Sequence, residues 1–236
     1  GTVLFPYFQE HYGREESKEG LTKYVLTPMV ILAGLMPIPI GSIWLCAPLF
    51  TRWVLPKFME GVPALRILLF GTFFLALFQQ SYHFLITIKK LRPLLVILAG
   101  VSGLAVALNL SFIRLGWGIN GVALATALSF FAYFMFLFLT VGLAYINRQR
   151  AIRVLVQIIS VFIYFTFILL ALDRWVVWPG ALWGATLVQM VFYLGAMVPV
   201  VLWVHKTTEL VRVVKSVLVR PPSRKATAEE VEAEIE

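Results

Sequence analysis

Six long stretches of this 236-residue chain carry no charge, and that absence constrains the fold more than any motif does. They run over residues 24–51, 67–88, 93–113, 115–147, 154–172 and 175–204, which is 28, 22, 21, 33, 19 and 30 residues. A helix rises about 1.5 Å per residue, so about 20 apolar residues cross the roughly 30 Å hydrocarbon core of a bilayer. Each stretch can therefore span. Transmembrane strands need only about ten residues with alternating faces, whereas ALRILLFGTFFLAL and FFAYFMFLFLTVGLAYI are apolar all round. Only 14% of residues are charged, against about 25% in a soluble domain. The expected fold class is an all-α membrane protein with six transmembrane helices.

The cations define an orientation. With the segment before Tyr24 placed inside, the inner regions hold Arg14, Lys18, Lys23, Lys89, Lys90, Arg92, Arg148, Arg150, Arg153, Lys206, Arg212, Lys215, Arg220, Arg224 and Lys225. Arg52, Lys57, Arg66, Arg114 and Arg174 are left outside. Under the positive-inside rule this bias puts both ends of the segment in the cytoplasm, and it assigns the net charge of +8 to membrane topology rather than to nucleic acid. The single cysteine, Cys46, lies in an apolar run and offers neither a disulfide framework nor a thiolate metal site.

Residues 1–23 read as the tail of a preceding helix, GTVLFPYF, followed by a polar cytoplasmic loop. Residues 24–146 hold four spans. In the first, Pro28, Pro37 and Pro39 each remove a backbone donor, so the helix is expected to kink or break near residues 36–40, either as a packing kink or as a cavity-lining, moving element. VLPKFMEGVP at 54–63 reads as an outer turn, and RLGWGIN as another, short enough to force an antiparallel pair. Gly121, Ala125 and Ser129 repeat every four residues and form a face for close helix packing. Residues 147–204 hold two further spans, with Trp175, Trp178 and Trp203 at headgroup level. Residues 205–236 read as an interfacial amphipathic helix on the anionic inner leaflet, or a plain extension of the last span, then an acidic disordered tail.

The twelve acidic residues all fall outside the six stretches, in loops, outer turns or the tail. That leaves no buried carboxylate pair for acid–base work and no acidic ion site within a span. His11, His83 and His205 lie in different segments, so no metal cluster is expected, and no nucleotide motif or activated nucleophile is present. Enzymatic catalysis and a cofactor are not expected. What remains is intramembrane polarity. In QQSYH at 79–83, Gln79, Gln80 and His83 share a helical face, which reads either as the lining of a hydrophilic path or as interhelical hydrogen bonding. Asn109 and Asn120 are further candidates, and Gln157 and Gln189 read as packing residues.

Three segments in order carry a family resemblance: LFPYFQEHYG at 4–13, VLPKFMEGVPALRILLFG at 54–71 and LNLSFIRLGWGINGVALATALS at 108–129. They resemble polysaccharide exporters of the multidrug/oligosaccharidyl-lipid/polysaccharide exporter superfamily, over roughly residues 1–146. The remaining two spans resemble the extra helices of fourteen-helix members. The resemblance implies a MATE-like fold of two lobes around a cavity that alternates its access, with this segment as the C-terminal lobe and an N-terminal lobe of the same protein as its partner. It implies a lipid-linked glycan substrate, as in Wzx-type flippases of the bacterial inner membrane, with membrane lipids as the other partner. A substrate diphosphate would want cations, and this segment supplies Arg66 near the outer end and Lys89, Lys90 and Arg92 near the inner mouth. The rival readings are a multidrug or cation antiporter of the same superfamily, a flippase of lipid-linked peptidoglycan precursor, and a membrane glycan polymerase or ligase. The antiporter would need a coupling carboxylate that these spans lack, and the polymerase or ligase a large outer loop.

Overall fold

The computed structural model describes the backbone of residues 18–175 and 182–208, all of it helix or short connections. The elements are α1 (Lys18–Leu35), α2 (Pro37–Val54), a tight helical turn (Pro56–Gly61), α3 (Val62–Thr87), α4 (Leu91–Arg114), α5 (Gly118–Tyr145), α6 (Arg148–Trp175) and α7 (Leu182–Thr208). Together they make six helical units long and apolar enough to cross a membrane, the first formed by α1 and α2 in series, so this is a multi-pass membrane protein. The expected truncated helix, interfacial helix and acidic tail lie outside the described residues.

Helices overrun the charge-free stretches. α1 starts at Lys18, inside what the sequence reads as a loop, and α6 starts at Arg148 and keeps Asp173 in its last turn. Backbone hydrogen bonding continues past the hydrocarbon, so charge marks the membrane boundary and not the helix end. The first span breaks where its prolines put the break. α1 ends at Leu35, Met36 bridges, and Pro37 starts α2 with its φ already set for a first helical position. Pro37 and Pro39 bring no N–H to the carbonyls of Ala33 and Leu35. Met36 N–H still donates to the Leu32 carbonyl at 2.8 Å, while the next bond, Ile40 N–H to the Met36 carbonyl, is stretched to 3.3 Å.

The α4–α5 connection closes as a Schellman motif. Trp117 N–H reaches the Phe112 carbonyl (3.1 Å) and Gly116 N–H the Ile113 carbonyl (3.0 Å), with Gly116 at φ +77°. Phe112 and Trp117 stack across it at 5.1 Å. α3 ends the same way, with Lys90 N–H on the Leu85 carbonyl (2.9 Å), but here Lys89 occupies the left-handed position at φ +56°.

These short turns make successive spans antiparallel, and gather Lys89, Lys90, Arg92, Arg148, Arg150, Arg153 and Lys206 at one end of the bundle, the basic end. α3 and α5 form the tightest pair: a Cβ on Gly71 would lie 2.7 Å from the backbone Cα of Ala127. The expected small-residue face on α5 is buried, at Gly121, Ala125 and Ser129. α4 covers α5 and buries little of itself beyond Leu94 and Val101, leaving Leu95, Val96, Val106 and Leu110 to the outside. The α6–α7 hairpin does not continue this row. It docks on α1 and α2, around a core of Met29, Trp44, Phe73, Phe165, Tyr193 and Met197.

Candidate functional site

Gln79, Gln80 and His83 lie in the last three turns of α3 toward the basic end. Gln79 is exposed and Gln80 half-buried, and neither carboxamide makes a hydrogen bond with another described residue. His83 is half-buried, packs edge-on against the Tyr82 ring at 5.5 Å, and offers its carbonyl to the Thr87 hydroxyl at 2.9 Å. The opposite face of the same helix is packed. Phe73, Phe74, Leu77, Ser81, Phe84 and Leu85 are buried there, and the Ser81 hydroxyl has no partner among the described residues.

The face that carries the glutamines is longer than the sequence reading took it to be. With about 100° of rotation per residue, Thr72, Ala76, Gln79, Gln80, His83 and Thr87 fall on one side of α3. None of them is buried. Thr72 and Thr87 bond their hydroxyls back to the Leu69 and His83 carbonyls (2.7 and 2.9 Å), which satisfies the donor and leaves the oxygen able to accept. From Thr72 to Thr87 this stripe covers about 22 Å of helix, most of the hydrocarbon thickness. It carries amides, hydroxyls and an imidazole, and no carboxylate. The helical period alone would have found Thr72 and Thr87.

Arg66 sits at the far end of α3 and is held on three sides. Its guanidinium lies 3.8 Å above the Trp44 ring, its Nη1 is 3.1 Å from Asp173 Oδ1, and its Nε makes a long 3.4 Å contact with the Trp44 carbonyl. In the sequence Asp173 falls between two charge-free stretches, in an expected outer turn. In the fold, α6 runs one turn further than its charge-free stretch and brings the carboxylate to Arg66. The arginine charge is matched within the chain.

Asn109, on α4, donates from Nδ2 to the Ala105 carbonyl of its own helix at 2.8 Å, and its buried Oδ1 has no partner among the described residues. Asn120 is exposed in the first turn of α5. The six candidate residues thus occupy three places: the basic half of α3, the opposite end of α3, and the α4–α5 end. Among the described residues no hydrogen bond or ion pair is seen that joins one place to another. Gln189 does act as the expected packing residue, donating from Nε2 to the Leu172 carbonyl at 3.2 Å. Gln157 does not, and its carboxamide is unpartnered among the described residues. Among the described residues no three His, Cys, Asp or Glu side chains come together as a metal site would require.

No family model, curated protein or solved structure matches this chain.

Proposed function

We propose that this chain forms the C-terminal lobe and two additional helices of a MATE-like flippase in the bacterial inner membrane. It passes lipid-linked oligosaccharide or polysaccharide precursors across the membrane by alternating access, with both ends of the segment cytoplasmic. The observation that carries the reading is the stripe on α3. A carboxamide left without a partner in hydrocarbon costs several kcal/mol, so Gln79 and Gln80 need something outside this bundle that hydrogen-bonds. Water, a second helical lobe and a hydroxyl-rich head group all meet that need. The stripe's neutral donors and acceptors suit a sugar, which offers many hydroxyls and no fixed charge. The broken first span agrees with this, because irregular backbone at membrane depth is tolerated where it lines a cavity or is packed by protein.

The antiporter reading would place a titrating carboxylate in a span. Asp173 and Glu60, the acidic residues within the described spans, both lie at the end away from the basic one, and Asp173 is paired with Arg66. That arrangement favours the flippase.

The test has two arms. Single cysteines at Thr72, Ala76, Gln79, Gln80, His83 and Thr87, with Cys46 replaced by Ala, are expected to react with a membrane-impermeant thiol reagent in open membranes, while cysteines at Phe73 and Leu77 stay unreactive. In the second arm, Gln80→Leu and His83→Phe are introduced singly and together into the full-length protein, and glycan export is measured against membrane abundance. Export should fall at normal abundance. Uniform unreactivity along the stripe, or wild-type export from the double variant, refutes the reading.

A further inference from the structure

The α6–α7 hairpin holds a cavity of about 480 Å³ that the path on α3 does not use. Its α6 wall is Gln157, Ser160, Val161 and Tyr164, and its α7 wall includes Pro199 and Trp203. Residues 157, 160 and 164 follow each other at helical spacing, so the polar side chains form one line down the cavity. Pro199 explains the opening. A proline inside a helix removes a donor and pushes the preceding turn away, and here the Tyr164 hydroxyl donates to the Ala196 carbonyl of that turn at 2.9 Å. Ser160 bonds to its own helix at the Val156 carbonyl (2.7 Å) and can still accept. The Gln157 carboxamide has no partner among the described residues. The remaining wall is apolar, and Val156, Tyr164 and Pro199 are exposed, so the cavity opens sideways to the surroundings of the bundle.

The same two faces continue to the basic end. Arg153 and Arg150 lie one and two turns before Gln157 on its face of α6, and Lys206 lies one turn beyond Trp203 on α7. All three are exposed, and none has an acidic partner among the described residues. From Arg153 to Tyr164 the helix rises about 16 Å, close to half the hydrocarbon thickness, which is one leaflet.

We infer that this cleft is a binding site for one anionic glycerophospholipid of the leaflet at the basic end. The phosphate lies among Arg150, Arg153 and Lys206, an ester carbonyl accepts from the Gln157 amide one turn deeper, and an acyl chain runs along Val161 and Pro199 toward Tyr164. The order of chemistry down the cleft, three cations, then an amide donor, then an apolar wall, is the order of groups in that lipid, and basic clefts between membrane helices favour anionic head groups. The site is independent of the transport path on α3.

Trp203 lines the cleft and reports on it. The full-length protein and its Trp203→Phe variant are reconstituted in vesicles doped with brominated phosphatidylglycerol or brominated phosphatidylcholine. The quenching lost in the variant is the Trp203 signal. That signal is expected to show a preference for the anionic lipid of about fivefold or more, the effect of roughly one cation near an anionic surface. Arg153→Gln with Lys206→Gln should erase it, Arg153→Lys should keep it, and Gln157→Leu should weaken it for both lipids. Circular dichroism and size-exclusion profiles certify each variant as folded, and a misfolded double variant is replaced by the single Arg153→Gln, for which a clear reduction is expected. Equal quenching by the two lipids overturns the proposal, as does a preference for phosphatidylglycerol that survives loss of the cations.

Discussion

Replacing Gly41 by Ala probes how α7 is attached to the broken first span. The Tyr193 ring is fully buried, and its hydroxyl donates to the Pro37 carbonyl at 2.6 Å, in the turn just after the break. Gly41 is the floor of the notch that admits the ring: a Cβ there would overlap three atoms of it, Cζ, Oη and Cε1. The overlap is with a rigid, enclosed group, so either the helices separate or the ring leaves its partner. Overpacking of this kind costs about 1–3 kcal/mol, and the displaced hydrogen bond about 0.6–1.7 kcal/mol more on membrane-protein measurements. Ala is the better helix former by about 1 kcal/mol, which leaves a net loss of about 2 kcal/mol. In a chain of this size that is about 4–8 °C in Tm, against about 2–4 °C for Tyr193→Phe, which loses only the hydroxyl. The assay is thermal unfolding of the detergent-purified protein followed by size exclusion. The decisive comparison is a double-mutant cycle with Tyr193→Leu. With the ring gone, Gly41→Ala should be neutral or slightly stabilising, so the two losses will not add. A wild-type Tm for Gly41→Ala, or an unchanged effect of Gly41→Ala in the Tyr193→Leu background, refutes the notch as the attachment.

Two other glycines give a matched contrast by the same assay. Gly71→Ala meets the Ala127 backbone and should cost about 1–3 kcal/mol, while Gly100→Ala meets nothing within 4 Å and should be neutral or gain up to about 1 kcal/mol of helix propensity. Lys89→Gly should raise Tm slightly, by about 2 °C, because a lysine held at φ +56° gives up about 1–2 kcal/mol that glycine recovers only in part; a lower Tm would mean that the lysine side chain, not the turn, sets this end of α3. Arg66→Gln should destabilise more than Asp173→Asn, since it loses the contact with Trp44 (about 0.5–2 kcal/mol) as well as a pair whose carboxylate is 46% exposed (about 1 kcal/mol or less); equal losses would assign the whole effect to the ion pair.

What could be read before the fold was seen followed from local rules. Length and absence of charge give six spans, because the bilayer imposes the same requirement on each. Pro37 and Pro39 locate the break, because a missing N–H acts on the residue's own helix. The buried stripe at Gly121, Ala125 and Ser129 follows from helical period, as Thr72 and Thr87 would have. The rest depended on contacts that sequence spacing does not encode. Tyr193 meets Pro37 across 156 positions, and no local pattern separates this tyrosine from Tyr164, which also lies in a span but is 39% exposed. The Arg66 pair is not legible because Asp173 sits just beyond a charge-free stretch, and nothing in the sequence says that α6 runs past that boundary. Gln189 and Gln157 are the same residue type in neighbouring spans, yet one bonds the Leu172 carbonyl and the other lies open in a cleft; only the packing of α6 against α7 within the hairpin decides which.

The docking of that hairpin changes what the last two spans do. Their contacts with α5, the preceding span, are slight, and they pack chiefly on α1 and α2. Val204 fills the space at Gly34, just before the break, and Tyr193 fills the space at Gly41, just after it. α7 therefore bridges the two halves of a span that loses two backbone hydrogen bonds to proline at the break, and the Tyr193 hydroxyl adds a tie of its own to the Pro37 carbonyl. α6 is tied to the same unit by Tyr164 on Ala196 and by Gln189 on Leu172. A splint of this kind makes the break a defined angle instead of a loose joint. Any rearrangement that bends the first span at Met36 must either slide α7 across its glycine notches or carry the whole hairpin with it. Packed interfaces tend to have discrete arrangements and do not deform continuously, so under the alternating-access proposal the break and the hairpin would move as one body. The polar stripe of α3 then stands beside that body, on a helix whose opposite face is locked to α5.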